Sequence, residues 1–134
     1  MLLVSTYIAP SEIEGVGVFA AEPIKKGARL SRFEPEFDRL VPRSVYETAP
    51  PHLRRLLDRY SFPHPDNADL LVYEVDNSRF MNHSENPNTD FSDFANGVAL
   101  HDIAVGEELT CNYRDFFEDY ELLPHEAALS ASIR

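Results

Sequence analysis

Three short runs of the 134-residue chain hold side chains that could do chemistry. Residues 14–20 read Glu-Gly-Val-Gly-Val-Phe-Ala, with Gly15 and Gly17 bracketing Val16 where a strand pattern starts. Glycines there let backbone N–H and C=O groups come close to a ligand, because no Cβ intervenes. Such a pair equally marks a turn or a bulge, and without a third glycine and a long following helix it is no dinucleotide fingerprint. Residues 79–88, Arg-Phe-Met-Asn-His-Ser-Glu-Asn-Pro-Asn, form a dense polar loop after an apolar stretch. Asn82 and His83 can each donate and accept, which suits an amino-acid or purine head group, although such residues also satisfy their own turn. Residues 106–113, Gly-Glu-Glu-Leu-Thr-Cys-Asn-Tyr, run from an acidic turn into a short strand ending at Tyr113, whose ring could equally close a core edge. The other four histidines stand at no ligand spacing from His83, so no metal site is expected. A single cysteine, Cys111, excludes an internal disulfide and a thiolate zinc cluster.

The elements that must position these runs are short. Ten prolines and five glycines cut the chain into pieces that favour strands over long helices. Strands are expected at residues 2–8, 16–20, 28–33, 70–75, 98–102 and 108–111, all rich in Val, Leu, Phe and Tyr. One amphipathic helix is expected over residues 51–60, where Leu53, Leu56, Leu57 and Tyr60 repeat at helical spacing and Pro51 suits the first turn. A second helix is expected after Pro124. The result is a predominantly β chain with few short helices, one domain by length, without repeats or linkers.

Composition narrows the function. With 43% hydrophobic and 26% charged residues the chain is an ordinary globular one, and no apolar run is long enough to span a bilayer. The N-terminus lacks the basic start of a signal peptide, and one cysteine fits a reducing, cytoplasmic compartment. Net charge is −11, and it is unevenly spread. Residues 1–65 carry nine basic and eight acidic side chains; residues 66–134 carry three and fifteen. That field repels phosphate backbones and attracts a basic partner such as a lysine-rich protein segment, or simply keeps the surface solvated.

In this order and at these separations the three runs resemble one family. Residues 15–17, 79–88 and 106–113 match in turn the GxG, RFxNHSxxPN and GEELTxxY patterns of the SET-domain protein lysine methyltransferases, and residues 24–30 are similar to that family's turn before its next strand. The resemblance covers residues 5–116 of a single domain over 1–134, with a variable insert at about 34–77 and a flanking segment at 114–134. It implies a fold of small β-sheets of the β-clip type, with the C-terminal segment passing under a loop as a pseudoknot. It also implies S-adenosylmethionine as methyl donor, lined by Gly15, Val16 and Gly17 and held at its amino-acid portion and adenine by Asn82 and His83. Phe116 or Phe117 would cover the adenine ring. Tyr113 would be the catalytic tyrosine, and Phe33, Phe91 and Cys111 would help wall the lysine channel.

Such a site needs no metal. Holding amine and methyl group in line along a narrow channel makes the reaction effectively unimolecular. Aromatic walls and a neighbouring sulfonium would depress the amine's pKa from its ordinary value of about 10.4. A phenol, with a pKa of about 10, is a poor base at neutral pH, so orientation is the better role for Tyr113. Where relatives often carry Cys after NHS, this chain has Glu85, and no cysteine follows residue 111, so the Tyr120–Leu123 stretch or the second subunit of a homodimer would have to close the channel. Cys111 stands where relatives show Phe or Tyr, which leaves space for at least dimethylation; Phe33 lacks the hydroxyl of the family's tyrosine. The expected substrate is a basic lysine-bearing protein of chromatin, nucleoid or ribosome, in the cytoplasm or nucleus, without direct contact to nucleic acid or membrane. Two other readings stay open: a non-catalytic module of this type binding basic peptides through its acidic half, and a methyltransferase acting on a non-protein amine.

Overall fold

The computed structural model describes residues 1–117. Their order is β1 (Thr6–Pro10), β2 (Val16–Ala20), β3 (Arg39–Pro42), α1 (Arg43–Thr48), α2 (Pro51–Tyr60), β4 (Ser61–His64), β5 (Asn67–Tyr73), β6 (Asn82–His83), β7 (Thr89–Asp90), β8 (Val98–Ala99) and β9 (Glu108–Cys111). The expected helix after Pro124 and the Tyr120–Leu123 closure lie outside the described residues.

Three small sheets result, ordered β1-β2-β9-β6, β3-β5-β4 and β7-β8. In the first, β1 and β2 form an antiparallel hairpin, β2 pairs antiparallel with β9 (Val18 opposite Leu109), and β6 runs parallel to β9 (Asn82 opposite Thr110). The three motifs therefore share one sheet, although 58 residues separate the first from the second. The core lies against this sheet. Val18, Leu30, Ile103 and Leu109 are fully enclosed, and Met81, Phe91 and Cys111 carry that apolar layer toward the motif residues.

Strands β2 and β9 and helix α2 have the bounds that their sequence pattern predicts. Other expectations need correction. Residues 28–33 form no strand: Leu30 donates its N–H to Gly97 and accepts from Leu3, so the segment bridges two neighbours without building a ladder with either. Similarly, Leu2 makes only an isolated bridge to Ser31, and the first strand runs over Thr6–Pro10 rather than 2–8. The fourth expected strand lies earlier, at Asn67–Tyr73, and the fifth shrinks to Val98–Ala99.

Pattern reading misses β3, α1 and β4. Pro63 inside β4 argues against a strand, yet it sits where the register to β5 shifts, as an edge proline can. In α2 only Leu57 is buried; Leu53 and Leu56 remain 42% and 40% exposed. The helix is anchored instead to α1 by polar contacts, with Tyr46 Oη donating to Asp58 at 2.6 Å and Arg54 donating to the Glu47 carbonyl at 2.9 Å. No helix among the described residues is long and apolar enough to cross a membrane.

Candidate functional site

The first motif is the β1–β2 turn. Gly15 adopts a φ of +48°, in the left-handed region that favours glycine. Gly17 is required for a different reason: a Cβ built there would stand 2.4 Å from Oε2 of Glu108. The missing side chain thus makes room for a carboxylate of the third motif.

That carboxylate is one of three acceptors around Asn82. The side-chain nitrogen of Asn82 donates toward the carbonyls of Glu14 and Val16, each at 3.1 Å, and toward Glu108 Oε2 at 3.0 Å. Ser11 Oγ donates to the other side of the same carboxylate at 2.7 Å. Three acceptors around one nitrogen fix the amide orientation, with the nitrogen toward the β1–β2 turn and Glu108. Asn82 thereby ties all three motifs together at one point.

Tyr113 is tied to the second motif at both ends. Its hydroxyl donates to the Met81 carbonyl at 2.7 Å, and its backbone N–H donates to Nδ1 of His83 at 3.0 Å. Asn112 accepts from the Arg114 N–H at 3.0 Å, and Asp115 accepts from the Phe91 N–H at 3.1 Å. The stretch from Asn112 to Phe116 is thus laced between residues 81–83 on one side and Phe91 on the other, the crossing expected of the C-terminal passage.

Beside this stretch opens a cleft of about 110 Å3, many times the roughly 10–15 Å3 that one water needs. Val16, Asn82, Phe91, Cys111, Tyr113, Phe116 and Phe117 line it. Gly15, Gly17, His83 and Phe33 are not part of its lining. The glycines act one layer back, through the turn and the room for Glu108. The imidazole of His83 is directed at the Tyr113 backbone and at Glu85, 3.2 Å from Nε2, so it holds the tyrosine. Phe33 follows the bridged segment that failed to form a strand and does not reach the cleft wall.

Several lining residues carried no functional expectation. Phe62, from β4, packs its ring 4.8 Å from Phe116, which in turn lies 5.7 Å from Phe91. Asp58 and Glu74 bring carboxylates; burial pushes the Glu74 carboxyl up, opposed by the Met1 amine and Ser78. Arg79 brings a cation whose guanidinium lies over the rings of Phe80 and Tyr60, at 4.8 and 5.4 Å. Its Nη1 donates to Tyr73 Oη at 3.2 Å, while its Nε is buried without a hydrogen bond. Among the described residues no carboxylate pairs with Arg79. A half-buried cation without an anionic partner favours a ligand that supplies one. Arg79 opens the second motif, so the signal was present in the sequence. Phe62 gave none, because its place depends on the path of the insert. Burial pushes the Cys111 thiol far up, so this side chain is a small apolar wall rather than a nucleophile.

The family model of the SET domain matches residues 15–114. No individual curated protein matches the sequence. Among solved structures, a humanized mutant of the Chaetomium thermophilum Polycomb Repressive Complex 2 bound to an inhibitor is similar at 23% identity over 85% of this chain, with a TM-score of 0.60; the chain spans about 15% of the length of that relative. The Neurospora SET domain protein DIM-5, a histone lysine methyltransferase, is similar at 23% identity and a TM-score of 0.58, over 90% of this chain and 56% of that one.

Proposed function

The chain belongs to the SET-domain family, and from that premise we propose that it is an S-adenosylmethionine-dependent protein-lysine N-methyltransferase acting on a basic protein. The observation that carries this reading is the convergence of the three motifs on Asn82 and Tyr113 at one cleft. The cleft fits the methyl donor on its own terms. Arg79 offers a cation to a carboxylate, the Asn82 amide in the lining offers its oxygen to an ammonium, and Phe116 and Phe117 offer flat apolar surface to a purine. When bound, S-adenosylmethionine supplies an electrophilic methyl group on a sulfonium.

The chain's own residues do the rest. Asp58 puts a carboxylate in the cleft wall, which draws in a lysine ammonium, while Glu74 is engaged by the Met1 amine and Ser78. Phe91, Met81 and Cys111 are nearly fully buried and exclude water from the far end, which favours the neutral amine. The Tyr113 hydroxyl donates to the Met81 carbonyl, which fixes its oxygen at the cleft wall, in place to meet an N–H of the amine. Accepting an N–H there directs the nitrogen lone pair along one line, the positioning that an in-line displacement needs. The proton released by the lysine leaves to water past the cleft's carboxylates.

Incubating the protein with radiolabelled methyl donor and a lysine-rich histone mixture should place label on lysine. Label that free polyamines remove completely by competition would instead identify a non-protein amine as substrate. The small Cys111 leaves room for at least a second methyl group. Cys111→Tyr would project a ring into the cleft and should shift products toward monomethyl-lysine, read by mass spectrometry; an unchanged product ratio would contradict the assignment.

A further inference from the structure

We infer that Glu85 is a positioning residue for Tyr113, acting through His83 and Arg114. The inference rests on the methyltransferase reading but uses contacts outside the cleft. Glu85 Oε1 lies 3.2 Å from His83 Nε2 and accepts from Arg114 Nη1 at 2.9 Å, and Oε2 accepts from the same nitrogen at 2.8 Å. His83 and Arg114 both adjoin the Tyr113 backbone: Nδ1 of His83 accepts the Tyr113 N–H at 3.0 Å, and Arg114 follows it in the chain.

The arrangement has a chemical logic. An imidazole that accepts at Nδ1 must carry its hydrogen on Nε2. Glu85 is the acceptor for that hydrogen, so it fixes the tautomer that the tyrosine backbone requires. The same carboxylate grips Arg114, and the Arg114 and His83 contacts together hold the Glu85 carboxyl below the usual carboxylate range. One side chain thus clamps both neighbours of Tyr113, while the Met81 carbonyl holds its hydroxyl.

Glu85 and Arg114 side chains are 69% and 48% exposed, so the pair contributes little to global stability and is screened by salt. The fold of the stretch persists without it, through the Asn112 and Asp115 hydrogen bonds. What the clamp governs is the set of the tyrosine against the cleft.

The experiment compares the full chain with Glu85→Ala, Glu85→Gln, Arg114→Ala and the Glu85→Ala/Arg114→Ala double variant, using S-adenosylmethionine and a lysine-rich histone mixture across a potassium chloride series. Glu85→Ala should lower kcat about fivefold, leave KM for S-adenosylmethionine within about twofold, and flatten the salt dependence. The double variant should be no slower than Glu85→Ala alone, the mark of coupled groups. Glu85→Gln keeps an acceptor for His83 and should recover part of the loss. In parallel, hydrogen exchange of the Tyr113 amide should quicken about tenfold in Glu85→Ala while the Leu109 amide is unchanged. Unchanged kcat together with unchanged Tyr113 exchange, or a kcat loss that merely tracks a lower Tm, would overturn the inference. Should the wild type transfer no methyl group to the histone mixture, the proposed function fails at that point, and Tyr113 exchange alone decides on Glu85.

Discussion

A Tyr113→Phe variant should keep its affinity for S-adenosylmethionine and turn over about a hundredfold more slowly, the usual scale for losing one well-placed polar contact in the transition state. The Tyr113 hydroxyl is fixed by its hydrogen bond to the Met81 carbonyl at the cleft wall, where its oxygen is placed to orient an incoming amine. Phenylalanine fills the same space, so the Phe116 and Phe91 wall is undisturbed. It also leaves the Met81 carbonyl without its donor, which costs about 1–3 kcal/mol and a few degrees of Tm. Kinetic and thermal effects should therefore separate: a small fall in Tm, a large fall in kcat. A variant with full turnover would show that the hydroxyl belongs to the scaffold alone.

The second large effect is on folding. Asn82→Ala removes the donor shared by Glu14, Val16 and Glu108; Glu108 keeps the Ser11 hydroxyl, while the Glu14 and Val16 carbonyls lose this donor at a part-buried site. Unmet acceptors of this kind cost about 1–3 kcal/mol each and do not add fully, so a loss of about 3–5 kcal/mol is expected in denaturant titrations. Against a typical 5–15 kcal/mol for a whole domain, this is enough to make the variant marginal. Loss of cofactor binding should accompany it, since the β1–β2 turn would no longer be held against β9. A fall below 1 kcal/mol would mean that water replaces the amide easily and that the three motifs are less tightly joined than their distances indicate.

How much of this was legible in the sequence depends on how far apart the partners lie. Strand β2, with its glycine pair, and strand β9, ending before Tyr113, carry their own alternation, and α2 carries its own periodicity and proline start. These elements have the expected bounds. The two-residue strands β6 and β7 carry no pattern at all; their pairing is dictated by residues about 10 to 30 positions away. Residues 28–31 look like a strand because Ala28 and Leu30 alternate with Arg29 and Ser31, yet their hydrogen bonds are divided between residues 1–3 and 97–99.

The site shows the same division. Asn82, Tyr113, Val16, Phe91, Cys111, Phe116 and Phe117 reach the cleft because they sit within or beside the three motifs. Phe33 does not, since its position depends on the path of the insert that follows it. His83 was expected beside the cofactor, and residue type alone gives no sign that its ring turns to the Tyr113 backbone and Glu85 instead. Arg79 was visible as a letter in the motif, but its unpaired state emerges only when the surrounding rings are in place.

The most direct test is calorimetric titration of the folded wild-type chain with S-adenosylmethionine, beside Arg79→Met. That variant keeps bulk near Tyr60 and Phe80 and leaves the Asn82 network intact. The wild type should show one micromolar site, weakened about tenfold or more when the cation is removed. A folded wild-type protein that binds no S-adenosylmethionine, yet takes up a lysine-rich peptide through its acidic half, would contradict the methyltransferase reading and leave a binding module in its place.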